Sequence, residues 1–287
     1  MELRQLRYVV AVAEEANFTR AAARCFVVQS ALSHQIKALE KELGVALFAR
    51  TSRRVELTAA GEAFLPAARA SLEAAERAAA DAAAATGQLR GQLSVGVIPT
   101  VTAVDVPAAL GVFRRLHPAV RIALRVAGSD ALEAALAEGS IDVCLLGLPE
   151  NRHPRGVASR LLVTDRHVAV LSREHPLAEN SQLQLQDLAQ EKFADFPAGT
   201  PGRAQSDLAF TTAGVHRDVA FEAMAADLMV GLVRHNLAVT LLPSRYAPTD
   251  PALVAIPITD GPSRAEYLAW SDFNPSAAAR AFLDTIE

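Results

Sequence analysis

Residues 18–65 read FTRAAARCFVVQSALSHQIKALEKELGVALFARTSRRVELTAAGEAFL, and their spacing decides the N-terminal fold. Leu32, Ile36, Leu39 and Leu43 recur at helical spacing, so a helix over about 31–43 has one apolar face. Ser30 suits its N-cap and Gly44 its stop, since glycine adopts the left-handed turn that ends a helix. Upstream, Ala22, Ala23 and Phe26 mark a second helix, which either Asn17 or Thr19 can cap, and a short turn runs through Val27, Val28 and Gln29. Further upstream, residues 3–15 set Leu3, Leu6, Val9, Val10 and Ala13 on one helical face. Downstream, Leu47 and Phe48 are candidate core anchors. Thr51 to Arg54 is a polar, basic turn, and Val55 to Leu57 alternates like a short strand, so a hairpin-sized wing follows three helices.

Charge is unevenly distributed. The whole chain carries −4, an unpromising value for a nucleic-acid binder. Residues 1–60 nevertheless hold nine basic against six acidic side chains, +3, which leaves −7 for the rest. That polarity fits a head that touches a polyanion and a body that avoids it. The two cysteines, Cys25 and Cys144, lie far apart in apolar surroundings and read as buried, reduced thiols. No cysteine pair has metal-ligand spacing, and no cofactor motif is expected. There is no secretory signal and no apolar run of about 18 residues, so a cytoplasmic chain that does not enter membranes is expected.

Residues 58–86 form the longest helical candidate, capped by Thr58 and closed by Gly87. At about 1.5 Å per residue it spans roughly 45 Å. Phe64, Leu65, Ala68, Leu72, Ala75 and Ala79 make a narrow apolar stripe, better suited to another helix than to a core of its own. Pro66 marks a place for a kink or an early break.

After Gly91 the period changes. Strands are expected at 93–98, 120–127 and 141–148, with helices at 107–116 and 130–137 between them, which implies a parallel α/β sheet. Residues 161–172 give two short strand candidates, 183–188 a short helix, and 192–197 a strand end and loop. Residues 208–212 extend a helix, 219–222 and 237–243 are strands, 226–235 is a helix, the alternation returns at 265–270, and 275–286 is a closing helix. Two α/β lobes after an extended helix are the expected architecture, with ligands bound just past strand ends.

The stretch 18–65 closely resembles the LysR-type regulators. GQLSVG at 91–96, FRRLHPAV, GSIDVCLLG, EHPLA at 174–178 and HNLAVTLLP resemble later landmarks of that family, so the resemblance spans essentially the whole chain. It implies a winged helix-turn-helix over 1–58, a dimerising linker helix over 59–88 and a two-lobed, periplasmic-binding-protein-like effector domain over 91–287. The first lobe is expected at about 91–162 and 266–287, the second at about 163–265. It further implies a homodimer or homotetramer that binds promoter DNA and responds to a small metabolite, with RNA polymerase as a partner if it activates.

The chemistry of the head suits this. A helix fits the major groove, and its first turns reach base edges. Ser30, Ser33, His34 and Lys37 share the side away from Leu32, Ile36 and Leu39, and Gln29 stands at the turn. Thr19 and Arg20 open the preceding helix, which in this motif crosses the backbone, and Arg50, Arg53 and Arg54 suit phosphates or a narrow minor groove. The family usually has proline at the position of Ser30 and arginine at that of His34. The loss of a permanent charge and its fork to guanine implies a different operator or weaker binding at high pH. The plainer alternative is a two-helix corner with solvated polar faces and a solvated arginine turn.

Carried over by position, the effector cleft takes Thr100, Thr102 and Ser129 from the first lobe and Thr200 and Arg203 from the second. Hydroxyls and free N–H groups at helix starts favour an anion, so a carboxylate-bearing metabolite is expected. The threonines also suit helix caps, and Arg203 a solvated surface position. A thiol sensor is disfavoured, because only Cys144 lies in this region, in an apolar strand. Two other classes remain: a ligand-binding protein with a degenerate head, and an enzyme. For the latter no nucleophile elbow, HExxH or phosphate loop is present, and adjacent Ser33 and His34 diverge on a helix.

Overall fold

A computed structural model describes residues 1–50, 55–84, 89–273 and 275–286, and of Arg50, Asp81 and Ala84 the backbone alone. The chain forms two compact units, Met1–Gln88 and Leu89–Glu287.

The first unit runs α1 (Leu3–Glu15), α2 (Phe18–Arg24), α3 (Gln29–Leu43), β1 (Phe48–Arg50), β2 (Val55–Leu57) and α4 (Ala59–Ala84). Asn17, rather than Thr19, caps α2, its side chain accepting from the N–H groups of Thr19 and Arg20. α3 starts earlier than the sequence suggests. Val28 takes the cap position without a side-chain bond, its carbonyl already accepting from Ala31 and Leu32, so Ser30 lies inside the first turn. Gly44 ends α3 at φ 73°, as expected. The core joins α1, α2 and α3 through Val9, Val12, Ala21, Leu32, Ile36 and Leu39, with Leu47 and Phe48 beneath the hairpin. Each fully buried aliphatic side chain contributes roughly 1.5–3 kcal/mol. Gly61 is required where α4 enters this core, since a Cβ there would lie 2.2 Å from the Leu47 carbonyl oxygen. α4 continues through Pro66. Ala68 is buried, while Leu65, Leu72 and Ala75 are only half-buried.

The second unit contains β3 (Gly91–Val97), α5 (Val106–Leu116), β4 (Val120–Val126), α6 (Ser129–Ala137), β5 (Val143–Pro149) and β6 (Ala158–Ser172). It continues with β7 (Lys192–Asp195), α7 (Pro201–Thr212), β8 (Asp218–Glu222), α8 (Ala226–Arg234), β9 (Thr240–Pro243), β10 (Leu253–Pro257), β11 (Ser263–Trp270) and α9 (Ala277–Leu283). β4, β3 and β5 are parallel, as expected, whereas β11 joins β5 antiparallel. The sheet is therefore mixed, in the order β10-β6-β11-β5-β3-β4 with β9 also on β6.

Residues 161–172 are not two short strands. They belong to one strand of 15 residues. The polar pair Asp165–Arg166 imitates a turn in sequence, but Asp165 is buried and held by the Ser244 hydroxyl at 2.6 Å and the Arg245 N–H at 3.0 Å. β6 pairs with β11 up to Arg166 and with β9 and β10 from His167 onward. β10 went unread in the sequence, and the helix expected at 183–188 is a 3-10 turn, Leu185–Leu188.

The first lobe packs α5 and α9 against one sheet face around Phe113, Leu93 and Phe282, and α6 against the other around Leu132 and Leu146. In the second, Phe193, Phe210 and Leu241 fill one side and Met229, Val233 and Leu242 the other.

Candidate functional site

The outward side of α3 is polar and solvated. Gln29, Ser30, His34 and Lys37 are exposed and Ser33 is half-buried, directly opposite the fully buried Leu32, Ile36 and Leu39. At the start of α2, Thr19 and Arg20 are exposed. Arg20 is engaged with the Glu15 carboxylate at 3.4 Å and with its carbonyl oxygen, so a contact with a phosphate would compete with an existing pair. Arg53 and Arg54 lie outside the described residues, as does the side chain of Arg50.

A second polar constellation lies between the lobes of the second unit. A narrow pocket of about 50 Å³ opens where the C-terminal ends of β3 and β5 meet α6 and α7. Thr100, Ser129 and Thr200 all line it, whereas Thr102 and Arg203 do not. The lobes approach closely here, since a Cβ on Gly128 would lie 3.5 Å from Pro201 Cδ. Two of these three hydroxyls are already committed. Ser129 donates to the Gly147 carbonyl at 2.9 Å and accepts from the Gly147 N–H at 3.1 Å, fastening α6 to β5. Thr200 caps α7, accepting from the Arg203 N–H at 3.4 Å and donating to the Pro197 carbonyl at 2.8 Å. Thr100 accepts from Arg264 Nη1 at 2.6 Å and keeps its own proton for another acceptor.

The residues that sequence reasoning missed form the floor. Arg264 and Glu266, 4% and 1% exposed, are an ion pair inside the protein. Arg264 Nη2 also donates to the Thr100 carbonyl at 2.6 Å. Glu266 accepts from Thr102 through its N–H at 3.0 Å and its hydroxyl at 2.5 Å, and from the Ala103 N–H at 3.0 Å. Thr102 therefore holds the floor in place from behind. Two charged residues at i and i+2 in the otherwise apolar stretch RAEYLAW (264–270) were the available signal, because that spacing puts both on one sheet face. Burial lowers the Arg264 pKa despite the pairing with Glu266. His167 also lines the pocket, and burial, aided by the charge of Arg264, pushes its pKa down to about 4. Its Nδ1 lies 3.2 Å from the Pro262 carbonyl and must donate there, which leaves Nε2 an acceptor.

On the opposite wall, Asp195 is buried with its Oδ2 2.7 Å from Arg217 Nη1. Burial raises its pKa even with Arg217 beside it. Arg203 is not a solvated surface arginine. Its guanidinium is bound to Asp207 at 3.0 Å, Glu222 at 2.9 Å and the Phe196 carbonyl at 3.2 Å.

Cys144 is buried and its pKa is raised to about 12 by burial, while Cys25 is only half-buried. Among the described residues no cluster of His, Cys, Asp or Glu could hold a metal, and no helix is long and apolar enough to cross a membrane.

Comparison with known proteins bears on both regions. Residues 3–62 match the model of the bacterial regulatory helix-turn-helix protein, lysR family, and residues 86–287 match that of the LysR substrate binding domain. The chain is 35% identical over 290 residues to the HTH-type transcriptional regulator YnfL of Escherichia coli (strain K12), covering 98% of this chain and 96% of that one. It is 34% identical over 260 residues to the transcriptional dual regulator GltC of Bacillus subtilis (strain 168), covering 90% and 86%. Among solved structures, full-length CbnR complexed with its target DNA superposes with a TM-score of 0.73 at 27% identity, covering 100% of this chain and 99% of that one. The chain therefore belongs to the LysR family of DNA-binding transcriptional regulators, with a helix-turn-helix at the N-terminus and an effector-binding domain of two α/β lobes behind it.

Proposed function

We propose that this regulator reads a promoter with α3 and changes its promoter activity when a small, carboxylate-bearing effector enters the pocket between the lobes. Gln29 addresses an adenine or a phosphate, Ser30, Ser33 and His34 base edges, Lys37 a base or phosphate, Thr19 and Arg20 the backbone, and Arg50, Arg53 and Arg54 the phosphates or minor groove flanking the site. Thr100, Ser129 and Thr200 border the effector, with Thr102 and Arg203 holding the walls that carry them. The boundaries are 1–58 for the DNA-binding part, 59–88 for the linker and 91–287 for the effector domain, its lobes dividing near 162 and 266. The half-exposed stripe of α4 supports a homodimer or homotetramer. The protein works in the cytoplasm without catalysis, and contacts RNA polymerase where it activates.

The observation that carries this reading is the sharp division of α3. Three fully buried aliphatic residues fix one side, while the other presents exposed groups that donate and accept hydrogen bonds. The test uses a duplex enriched from a random pool on the full-length protein. Lys37→Ala is expected to weaken binding to every duplex and to lower the salt slope by about one unit, and Ser33→Ala to change base preference. An unchanged salt slope together with unchanged preference removes α3 from the interface.

A further inference from the structure

The turn that leads into α3 is built against its own local preferences. Cys25 and Val27 pack on the core of the first unit. Phe26 and Val28, which alternate with them, face solvent and are 94% and 68% exposed. Phe26 lies past the end of α2 at φ 56°, in the left-handed region that a bulky side chain rarely adopts. The turn demands that conformation: the Phe26 N–H donates to the Ala23 carbonyl at 3.1 Å and the Val27 N–H to the Ala22 carbonyl at 3.0 Å, which closes α2. Glycine or asparagine suits such a place. Val28 holds the cap position of α3 without a side-chain bond, where serine or threonine would supply one. Ala31 is exposed as well, three residues after Val28 and three before His34, so it shares a helix side with His34. Neither burial nor local geometry accounts for an exposed phenylalanine and valine in these two places, and local choices of this kind collect where a surface has a task.

Their surroundings name the occupant. Gln29, Ser30 and His34 stand exposed among them, so the apolar groups continue the polar side of α3. Positive charge is close by. Arg7 and Arg24 act on the Cys25 thiol against the burial that raises its pKa, and Arg7 is exposed while Arg24 is paired with Glu14 at 2.6 Å. In the major groove the apolar group that a base presents is the C5 methyl of thymine, and alanine and phenylalanine are among the side chains that meet it.

We infer that Phe26, Val28 and Ala31 form an apolar edge of the reading surface that takes the methyl groups of thymines in the operator. The inference rests on the reading of α3 as the helix that addresses base edges. The strained turn and the empty cap are then features of recognition, retained at the expense of the fold.

The test is fluorescence anisotropy on the full-length protein with a duplex enriched from a random pool, and with copies in which each thymine in turn is replaced by deoxyuridine. The exchange removes one methyl and leaves every hydrogen-bonding group in place. It is expected to weaken native binding about fourfold at one or two positions, the value of one buried methyl. The double variant Phe26→Asn, Val28→Ser is expected to bind the thymine duplex about fourfold or more weakly and to be indifferent to exchange at those positions, a coupling that a general loss of fold does not produce. It is also expected to melt no lower than the native chain, since serine supplies the missing cap and asparagine tolerates the left-handed turn. Native binding that ignores every exchange overturns the proposal; Lys37→Ala then separates the two readings, because weaker binding keeps α3 in the interface and unchanged binding removes it. A variant that stays sensitive at the same positions assigns the methyl to other residues and overturns the proposal. A variant that melts well below the native chain gives the two side chains to the fold and overturns it too. Equal binding of the duplex by native and variant, with transcription lost in the variant alone, overturns it in favour of a protein partner.

Discussion

The outward side of α3 and the floor of the inter-lobe pocket use polar side chains in opposite ways. On α3, Ser30, His34 and Lys37 stand in solvent above a core made by Leu32, Ile36 and Leu39, so the solvated polar groups and the packed apolar ones are different residues. On the floor, Arg264, Glu266 and Thr100 are themselves buried, and the polar groups at the pocket also hold the lobe together. The first kind of surface can change its specificity one residue at a time at little structural cost. The second cannot, because removing one member leaves another charged and unpaired.

The contrast is open to measurement. The largest effect is expected for Arg264→Gln alone, which strands Glu266 and should cost about 4 kcal/mol in denaturant unfolding of the second unit. A loss under about 1 kcal/mol would mean that the floor is not structural and would erase the distinction. Next comes acid. His167 has a pKa of about 4 against an ordinary 6.5, so it stays neutral in the folded protein while the unfolded chain takes up a proton. Its contribution is fully present above pH 6.5 and is lost as pH falls towards 4. At about 1.4 kcal/mol per unit, that loss amounts to about 3 kcal/mol. Melting curves across this window should show the acid limb in the native chain and a shallower one in His167→Gln; superimposable limbs would exclude His167 as its source. The smallest effect sharpens the other side: Lys37→Ala should leave unfolding of the first unit within about 0.5 kcal/mol of native, since solvated surface residues contribute little. A larger loss would make α3 as structural as the floor.

Local features were legible before the structure. The period of Leu32, Ile36 and Leu39 announced α3, and Gly44 its end, because a helix writes its buried face into every third or fourth residue. The start of α3 was misread because Ser30 is a good cap by type, whereas the backbone turns at Val28 and supplies the first carbonyl there. In the second unit, the resemblance implied Thr100, Thr102, Ser129, Thr200 and Arg203 by position, and Thr100, Ser129 and Thr200 line one pocket whereas Thr102 and Arg203 do not. Arg264 and Glu266 escaped notice because their partners, Thr100 and Thr102, are 164 residues away in sequence. The i, i+2 spacing puts both on one face of an apolar strand, but it does not name the distant groups that bury them. β6 was split for a similar reason: Asp165 looks like a turn residue until Ser244 and Arg245 close over it.

That undivided strand has a consequence for how the second unit comes apart. β6 belongs to the sheet of both lobes, with β11 along its first half and β9 and β10 along its second. To melt either lobe is to strip the neighbouring strands from a backbone that the other still needs. The lobes are therefore expected to share a single cooperative transition, with an amide near Asp165 exchanging its hydrogen only when both are lost, which hydrogen exchange measures.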